Sequence, residues 1–246
     1  EWNKIQAASK TSYPETPKGD QTSLDDQVRT QYGVYVGMEY TVGDFIYRVT
    51  AIDSITSGRT KLIGVVAAKK SKLTKVTVPN TANFKGYGLN VTEVGDNAFK
   101  AMKKLKKVTF GANVKVIGNA AFSNCKKLNK INFKNVTTIG NNAFAGCKTL
   151  KKLTIGSKVT TIGKNAFKKC TKLKTVVIGK SVKTIKAKAF TKDNKIKKIT
   201  FKGKKLKTVK KNALSSKVKK NIKTKKTKLK GNKKAIKVFK KKLKIK

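Results

Sequence analysis

Apolar residues recur along most of this chain at one long interval. Phe99, Phe122, Phe144, Phe167 and Phe190 are spaced 23, 22, 23 and 23 residues apart. Around them runs the pattern Val-x-x-Ile-Gly-x-x-Ala-Phe-x-x-Cys-x-x-Leu-x-x-Ile-x-Ile, seen complete from Val136 to Ile155 and repeated about six times. A period in the twenties with apolar residues in phase predicts a solenoid, in which each coil buries a face against its neighbours. The half-coils Leu105-x-x-Val108-x-Phe110, Leu128-x-x-Ile131-x-Phe133, Leu150-x-x-Leu153-x-Ile155, Leu173-x-x-Val176-x-Ile178 and Ile196-x-x-Ile199-x-Phe201 each end in strand-like alternation. Their last two apolar residues are predicted to point inward, with one outward residue between them. The Val-x-x-Ile-Gly halves predict a second short strand, and Ala-Phe with the cysteine slot predicts a short helical turn leading back.

The flanks follow other patterns. Residues 1–32 are mostly polar and rich in Ser, Thr, Asp, Gln and Pro, with Trp2 near the start, and read as a linker or arm. Residues 33–72 turn β-like: two apolar runs flank Gly43-Asp44, a hairpin signal, and Thr60 to Ala68 supplies a third run. This segment is expected to cap the first coil. The solenoid itself is expected over 73–214, interrupted by a hairpin excursion at Phe84 to Tyr87, with a degraded last coil around Leu206, Val209 and Leu214. Residues 215–246 are lysine-rich. Ile236, Phe239 and Leu243 there sit at helical spacing, so a short helix should cover the open end, with membrane-surface binding as the weaker alternative. The fold class expected is therefore a mostly β repeat solenoid between a β-rich and a lysine-rich cap.

Charge changes this picture on the outside only. The chain has 61 basic and 11 acidic residues, formally +50. Residues 101–246 hold 48 lysines and one acid, Asp193, whereas residues 1–100 hold 13 basic and 10 acidic residues. Arginine contributes only Arg29, Arg48 and Arg59. Lysine is a hydrated point charge without the bidentate fork of arginine, so this composition suits diffuse attraction to polyanions. Outward positions on the longer strands are Thr109, Asn132, Thr154, Val177 and Thr200, and two residues earlier stand Lys107, Lys130, Lys152, Thr175 and Lys198. Stacked coils would set the lysines into a near-continuous ladder at about 4.8 Å spacing. The bland reading is that long lysine stems splay into water at a cost of a few tenths of a kcal/mol per pair. The functional reading is an anion-binding face.

Catalytic chemistry has little to work with. There is no histidine, which removes His-based triads and general bases. Past Asp96 a single carboxylate remains, so paired-acid hydrolysis has no second member, and no phosphate-binding glycine loop is present. Neither an enzyme nor a cofactor is expected. Cys125, Cys147 and Cys170 occupy one slot of the repeat, which Met102 fills one coil earlier. They are expected as small buried apolar residues rather than as a zinc site or, less readily dismissed, a disulfide between adjacent coils. Asn90-Val-Thr and Asn135-Val-Thr are glycosylation tripeptides by letter only.

The repeated consensus resembles the BspA-like leucine-rich repeats over roughly residues 70–214. The resemblance implies a secreted or cell-surface protein used in adhesion or wall association, with any secretion signal already removed, and it carries over no binding residue. Three functions compete on the residues. The first is a non-catalytic surface protein whose lysines associate with anionic wall polymers, acidic glycans or partner proteins. The second is a homo-oligomeric structural subunit of a surface layer or filament. The third is nonspecific nucleic-acid binding, disfavoured because the outward positions hold no arginine for base edges and almost no aromatic for stacking. No apolar run approaches the ~18 residues needed to span a bilayer.

Overall fold

The computed structural model describes residues 35–49, 62–68, 72–84, 87–210 and 212–245. The polar arm expected over 1–32, Trp2 included, lies outside them. The described chain opens with strands β1 (Glu39–Val42), β2 (Phe45–Val49) and β3 (Leu62–Ala68), the first two antiparallel around Gly43 at φ +58°. Next come β4 (Lys75–Val78) and a hairpin of β5 (Thr81–Phe84) and β6 (Tyr87–Asn90), the excursion expected from the sequence. The repeats then supply β7 (Glu93–Val94), β8 (Lys107–Phe110), β9 (Val116–Ile117), β10 (Lys130–Asn132), β11 (Thr138–Ile139) and β12 (Lys152–Thr154). They continue with β13 (Thr161–Ile162), β14 (Thr175–Ile178), β15 (Thr184–Ile185), β16 (Lys198–Phe201) and β17 (Thr208–Val209). Helix α1 (Ser216–Lys223), strand β18 (Lys228–Gly231) and helix α2 (Lys233–Leu243) complete the order.

The two strands of each coil lie on two different faces. The two-residue strands join β1, β2 and β3 in one nine-stranded sheet, β1-β2-β3-β7-β9-β11-β13-β15-β17, parallel from β3 onward. The longer strands form a second face in parallel register, divided into β10-β8-β4 and β12-β14-β16-β18. This is the solenoid that the period requires. Between the faces the phenylalanines stack nearly parallel, with centroids 5.0, 5.2, 5.4 and 5.6 Å apart from Phe99 to Phe190. Each aromatic contact adds about 0.5–1.5 kcal/mol beyond its burial, so the column is a large share of the cohesion between coils. Phe45 of β2 meets its first ring edge-on at 5.8 Å, while Leu214 bridges to its last member, Phe190.

The return segment is not the helical turn expected. Two residues per coil adopt left-handed backbone: Asn142 (φ 55°) and Gly146 (φ 77°) in one coil, Asn165 (φ 56°) and Lys169 (φ 62°) in the next. Such residues cannot continue a right-handed helix. The chain therefore returns through successive turns, as in Cys125 N–H to Phe122 O at 3.3 Å and Leu128 N–H to Cys125 O at 3.0 Å. The left-handed residues also aim backbone groups at the next coil, where Phe122 N–H donates to Ala143 O at 2.7 Å and Phe144 N–H to Ala166 O at 2.8 Å. A helix would have used those groups internally.

The C-terminal segment holds more than one helix. Ser215 caps α1 through Val218 N–H, and Asn232 caps α2 through Ala235 N–H at 3.1 Å. Ala235, Phe239 and Leu243 of α2 are buried, Phe239 lying edge-on 5.0 Å from Phe201. Most of the apolar face of α2 thus packs within the chain, with Ile236 and Val238 partly buried beside it.

Candidate functional site

The longer-strand face presents the residues that the sequence singles out. Its strands read Lys-Val-Thr-Val, Lys-Val-Thr-Phe, Lys-Ile-Asn, Lys-Leu-Thr, Thr-Val-Val-Ile, Lys-Ile-Thr-Phe and Lys-Leu-Lys-Gly, with no carboxylate among them. Pairing sets Lys75 beside Lys107 and Lys107 beside Lys130, with Thr77, Thr109 and Asn132 level two residues on. In the other half, Lys152 pairs Thr175, Thr175 pairs Lys198 and Lys198 pairs Lys228, with Thr154, Val177, Thr200 and Lys230 level beside them. All the ladder lysines are exposed. The sequence reading missed Lys75, which lies in the half-coil Leu73 to Val78, and Lys228, because α1 carries the chain well beyond one period before β18 joins the sheet.

The ladder is not near-continuous. It is interrupted between Lys130 and Lys152, where β10 and β12 share no ladder. Elsewhere on this face one bond recurs at the strand entrances: Lys106 N–H to Thr74 O at 2.7 Å, Asn129 N–H to Lys106 O at 2.9 Å, Lys174 N–H to Lys151 O at 2.8 Å. The equivalent bond from Lys151 to Asn129 is missing. In its place the hydroxyl of Thr149 reaches Lys126 O at 3.1 Å and Leu128 O at 3.0 Å. The side-chain Oδ1 of Asn132, the last residue of β10, accepts from Lys134 N–H at 3.1 Å and is already engaged.

A missing residue accounts for the break. Val114, Val159 and Val182 follow Phe110, Ile155 and Ile178 by four positions, through Gly111, Gly156 and Gly179; Val136 follows Phe133 by three, through Lys134. The 22-residue interval in the phenylalanine series is the trace of that omission. The coil leaves β10 one residue early, and its turn no longer nests against the next. A Cβ built on Gly179 would lie 2.1 Å from Gly156 O, but one built on Gly156 meets Phe133 at 3.0 Å and 3.1 Å. The coils stand wider apart at that point. The opening is a groove of about 660 Å³ lined by Asn129, Lys130, Ile131, Thr149, Lys151, Lys152, Thr154 and Lys172.

Inside, the cysteine slot forms a column. Cys125, Cys147 and Cys170 are buried and free, and each thiol donates to a phenylalanine carbonyl of an earlier coil, at 3.0, 3.5 and 3.4 Å. Burial pushes the Cys125 thiol up to about 12 and the other two well above the ordinary thiol range. These are packing residues, and no inter-coil disulfide is formed. The next member of the column is Asp193, three residues after Phe190 as Cys170 is after Phe167. It is 0% exposed and neither carboxylate oxygen has a hydrogen-bond partner. Burial raises it to about 8, and the backbone amide of Cys170, itself bonded to Phe167 O, tempers the shift only in part. The lone acid of the lysine-rich region is thereby held toward its neutral form and offsets little of that charge.

Among the described residues no cluster of His, Cys, Asp or Glu is disposed to hold a metal ion, and no helix is long and apolar enough to cross a membrane. Asn135, the second sequon asparagine, uses its amide nitrogen to donate to Ala112 O at 2.8 Å.

Comparison with solved structures finds the same architecture. A leucine-rich cell surface protein from Faecalibacterium prausnitzii is 26% identical, with a TM-score of 0.54 over 72% of this chain and 51% of that one. A leucine-rich repeat protein from Bacteroides ovatus is 22% identical, with a TM-score of 0.50 over 80% of this chain and 54% of that one. The chain thus spans about half the length of these relatives. No curated protein matches it. Residues 92–223 match the BspA type leucine-rich repeat region in six copies. With more than half of its length in that match, the chain belongs to the BspA type leucine-rich repeat family.

Proposed function

We propose that this chain is a non-catalytic, cell-surface binding protein whose longer-strand face engages anionic polymers through its lysine ladders. One observation carries the reading: parallel register sets Lys75, Lys107 and Lys130, and again Lys198 and Lys228, directly beside one another on a face whose strands hold no carboxylate. Like charges in register disfavour the sheet. A polyanion offsets that repulsion, and a repeating one meets a repeating array. The surface location is supported by the cell surface protein of similar fold. The domain scheme of 33–72 and 215–246 as caps on 73–214 is part of the same proposal, supported by Phe45 on the first phenylalanine of the column and by Phe239 on Phe201.

The test is salt elution. The protein is applied to immobilised polyglycerol phosphate and to heparin in low salt, then eluted along a gradient. Exposed charges are screened beyond about 3 Å at 1 M salt, so complete release below that concentration is expected. Retention in about 1 M NaCl sinks the electrostatic reading. Replacing Lys107 and Lys198 with glutamine should move elution to lower salt.

A further inference from the structure

The break between β10 and β12 is a built feature with its own chemistry. It arises from one omitted residue after Phe133, and the result is local: the nine-stranded face runs past the same coils without interruption. Lys130 and Lys152 flank the opening from the two ladders, and Lys151 and Lys172, which belong to neither ladder, also line it. Thr154 and Asn129 add polar residues to the lining, and half-buried Ile131 an apolar one. With the ladder absent, the Lys151 N–H lacks the bond to Asn129 O that its equivalents make in other coils. The groove is rich in donors, and no acid lines it.

Two kinds of occupant fail on geometry and chemistry. An extra β-strand would need its neighbours about 4.8 Å away on both sides. The Cα atoms of β10 and β12 still come within 8 Å of one another, so no strand can enter. A nucleic acid strand would want aromatic platforms or arginine planes, and the groove lining holds neither. What fits is compact, anionic and rich in acceptors. Lysine ammonium groups converge on point-like oxyanions without imposing the planar geometry of a carboxylate fork. The volume of about 660 Å³ lies within the range of small-molecule sites, enough for a sugar-sized unit with its ester.

We infer that this groove seats one sulfate or phosphate ester of a non-nucleic-acid polymer, and that the flanking lysine ladders hold the polymer on either side. The inference rests on the polyanion reading above. The ester oxygens accept from Lys130, Lys151, Lys152 and Lys172, the Lys151 N–H supplies a directional bond, and the sugar or polyol unit lies along Ile131. Ester groups elsewhere on the chain meet only the shallow ladders.

The test separates the groove from diffuse charge by leaving the charge alone. Insertion of one glycine between Phe133 and Lys134 restores the 23-residue interval and should join β10 to β12 without altering a lysine. Affinities for a heparin octasaccharide and for polyglycerol phosphate are measured at fixed salt, with amide NMR shifts followed during titration. In the parent, shifts at Lys151 and Lys152 should exceed those at Thr200, and the insertion should weaken binding about tenfold, the value of one charge-assisted hydrogen bond. The probe weakened more identifies the ester, sulfate or phosphate. If the insertion variant misfolds by circular dichroism, Lys151→Gln with Lys172→Gln replaces it, with the same loss expected. A folded variant that binds both probes as tightly as the parent overturns the groove while leaving the ladder reading intact. Loss of binding through Lys107→Gln and Lys198→Gln, both outside the groove, tests the ladders separately. Equal affinity for single-stranded DNA of matched charge overturns the assigned polymer class.

Discussion

The two faces of this solenoid are built from the same coils and respond differently to the same irregularity. The short-strand face is continuous, and past Glu93 its outward column is uncharged: Val116 beside Thr138, Thr138 beside Thr161, Thr161 beside Thr184 and Thr184 beside Thr208. The longer-strand face carries the lysine ladders and is cut in two. Charge repulsion does not explain the cut, because Lys75, Lys107 and Lys130 stay paired, as do Lys198 and Lys228. The omitted residue does. It lies in the turn that leaves the longer strand, so it displaces that turn, while the asparagine bonds on the other side hold. Asn119 N–H donates to Asp96 at 2.5 Å, Asn141 N–H to Asn119 at 2.8 Å and Lys164 N–H to Asn141 at 2.8 Å, straight past the affected coil. A repeat protein can thus open a groove on one face by omitting one residue, with its core unbroken.

The comparison can be broken in several places. The largest effect is expected from close packing. Gly179→Ala places a Cβ 2.1 Å from Gly156 O, with no flexible side chain to yield, and should cost about 3 kcal/mol in urea unfolding. Gly156→Ala, across the cut, meets Phe133 at 3.0 Å and should cost about 1 kcal/mol or less. Equal losses would mean that the coils are not wider there.

Asp193 gives the next largest effect and a distinctive pH dependence. Its folded value of about 8 lies above the ordinary carboxyl value of 3.8. Between these values the folded state holds a proton that the unfolded state has lost, so stability falls as pH rises from about 4 to about 8. Below about 4 both states are protonated and the penalty vanishes. Asp193→Cys, which restores the residue of the preceding coils, should flatten this window and add about 3 kcal/mol at pH 8. A parent stability independent of pH across the window would show that the carboxyl is solvated.

Thr149→Val removes the hydroxyl bridge to Lys126 O and Leu128 O and should cost about 1 kcal/mol, with stability loss concentrated at the cut. Hydrogen exchange of the Leu128 to Asn132 amides, compared with those of Thr175 to Ile178, would localise it. Smallest is Lys107→Thr, which relieves repulsion with Lys75 and Lys130 and should stabilise the fold by a few tenths of a kcal/mol in low salt, fading as salt rises.

Much of this was legible from residues alone, because a phased repeat leaves little choice. Phe144 and its equivalents, the cysteine slot and the alternation of Leu153 and Ile155 all announce their burial through position in the period. The ladder residues Lys107, Lys130, Lys152 and Lys198 follow from the same phase. Other features left a trace that becomes legible only when coils are laid against one another. Asp193 sits three residues after Phe190, and Lys134 stands where neighbouring coils have glycine. The left-handed return turns were obscured because Lys169, Lys188 and Lys192 adopt a backbone that their identity does not favour. Contacts with the next coil, including those of Lys169 N–H to Thr191 O at 2.9 Å, hold them there.

The sequence by itself determined the solenoid, its core columns and the concentration of lysine on its outside, since each depends only on which residues recur in phase. The tertiary structure decided what those lysines face. Whether two coils nest or part depends on a turn fitting against the one before it, and that is a distance between segments one full period apart. The same holds for β18, which joins the ladder only after α1 has carried it back to the sheet, and for Asp193, which burial in the thiol column holds toward its neutral form.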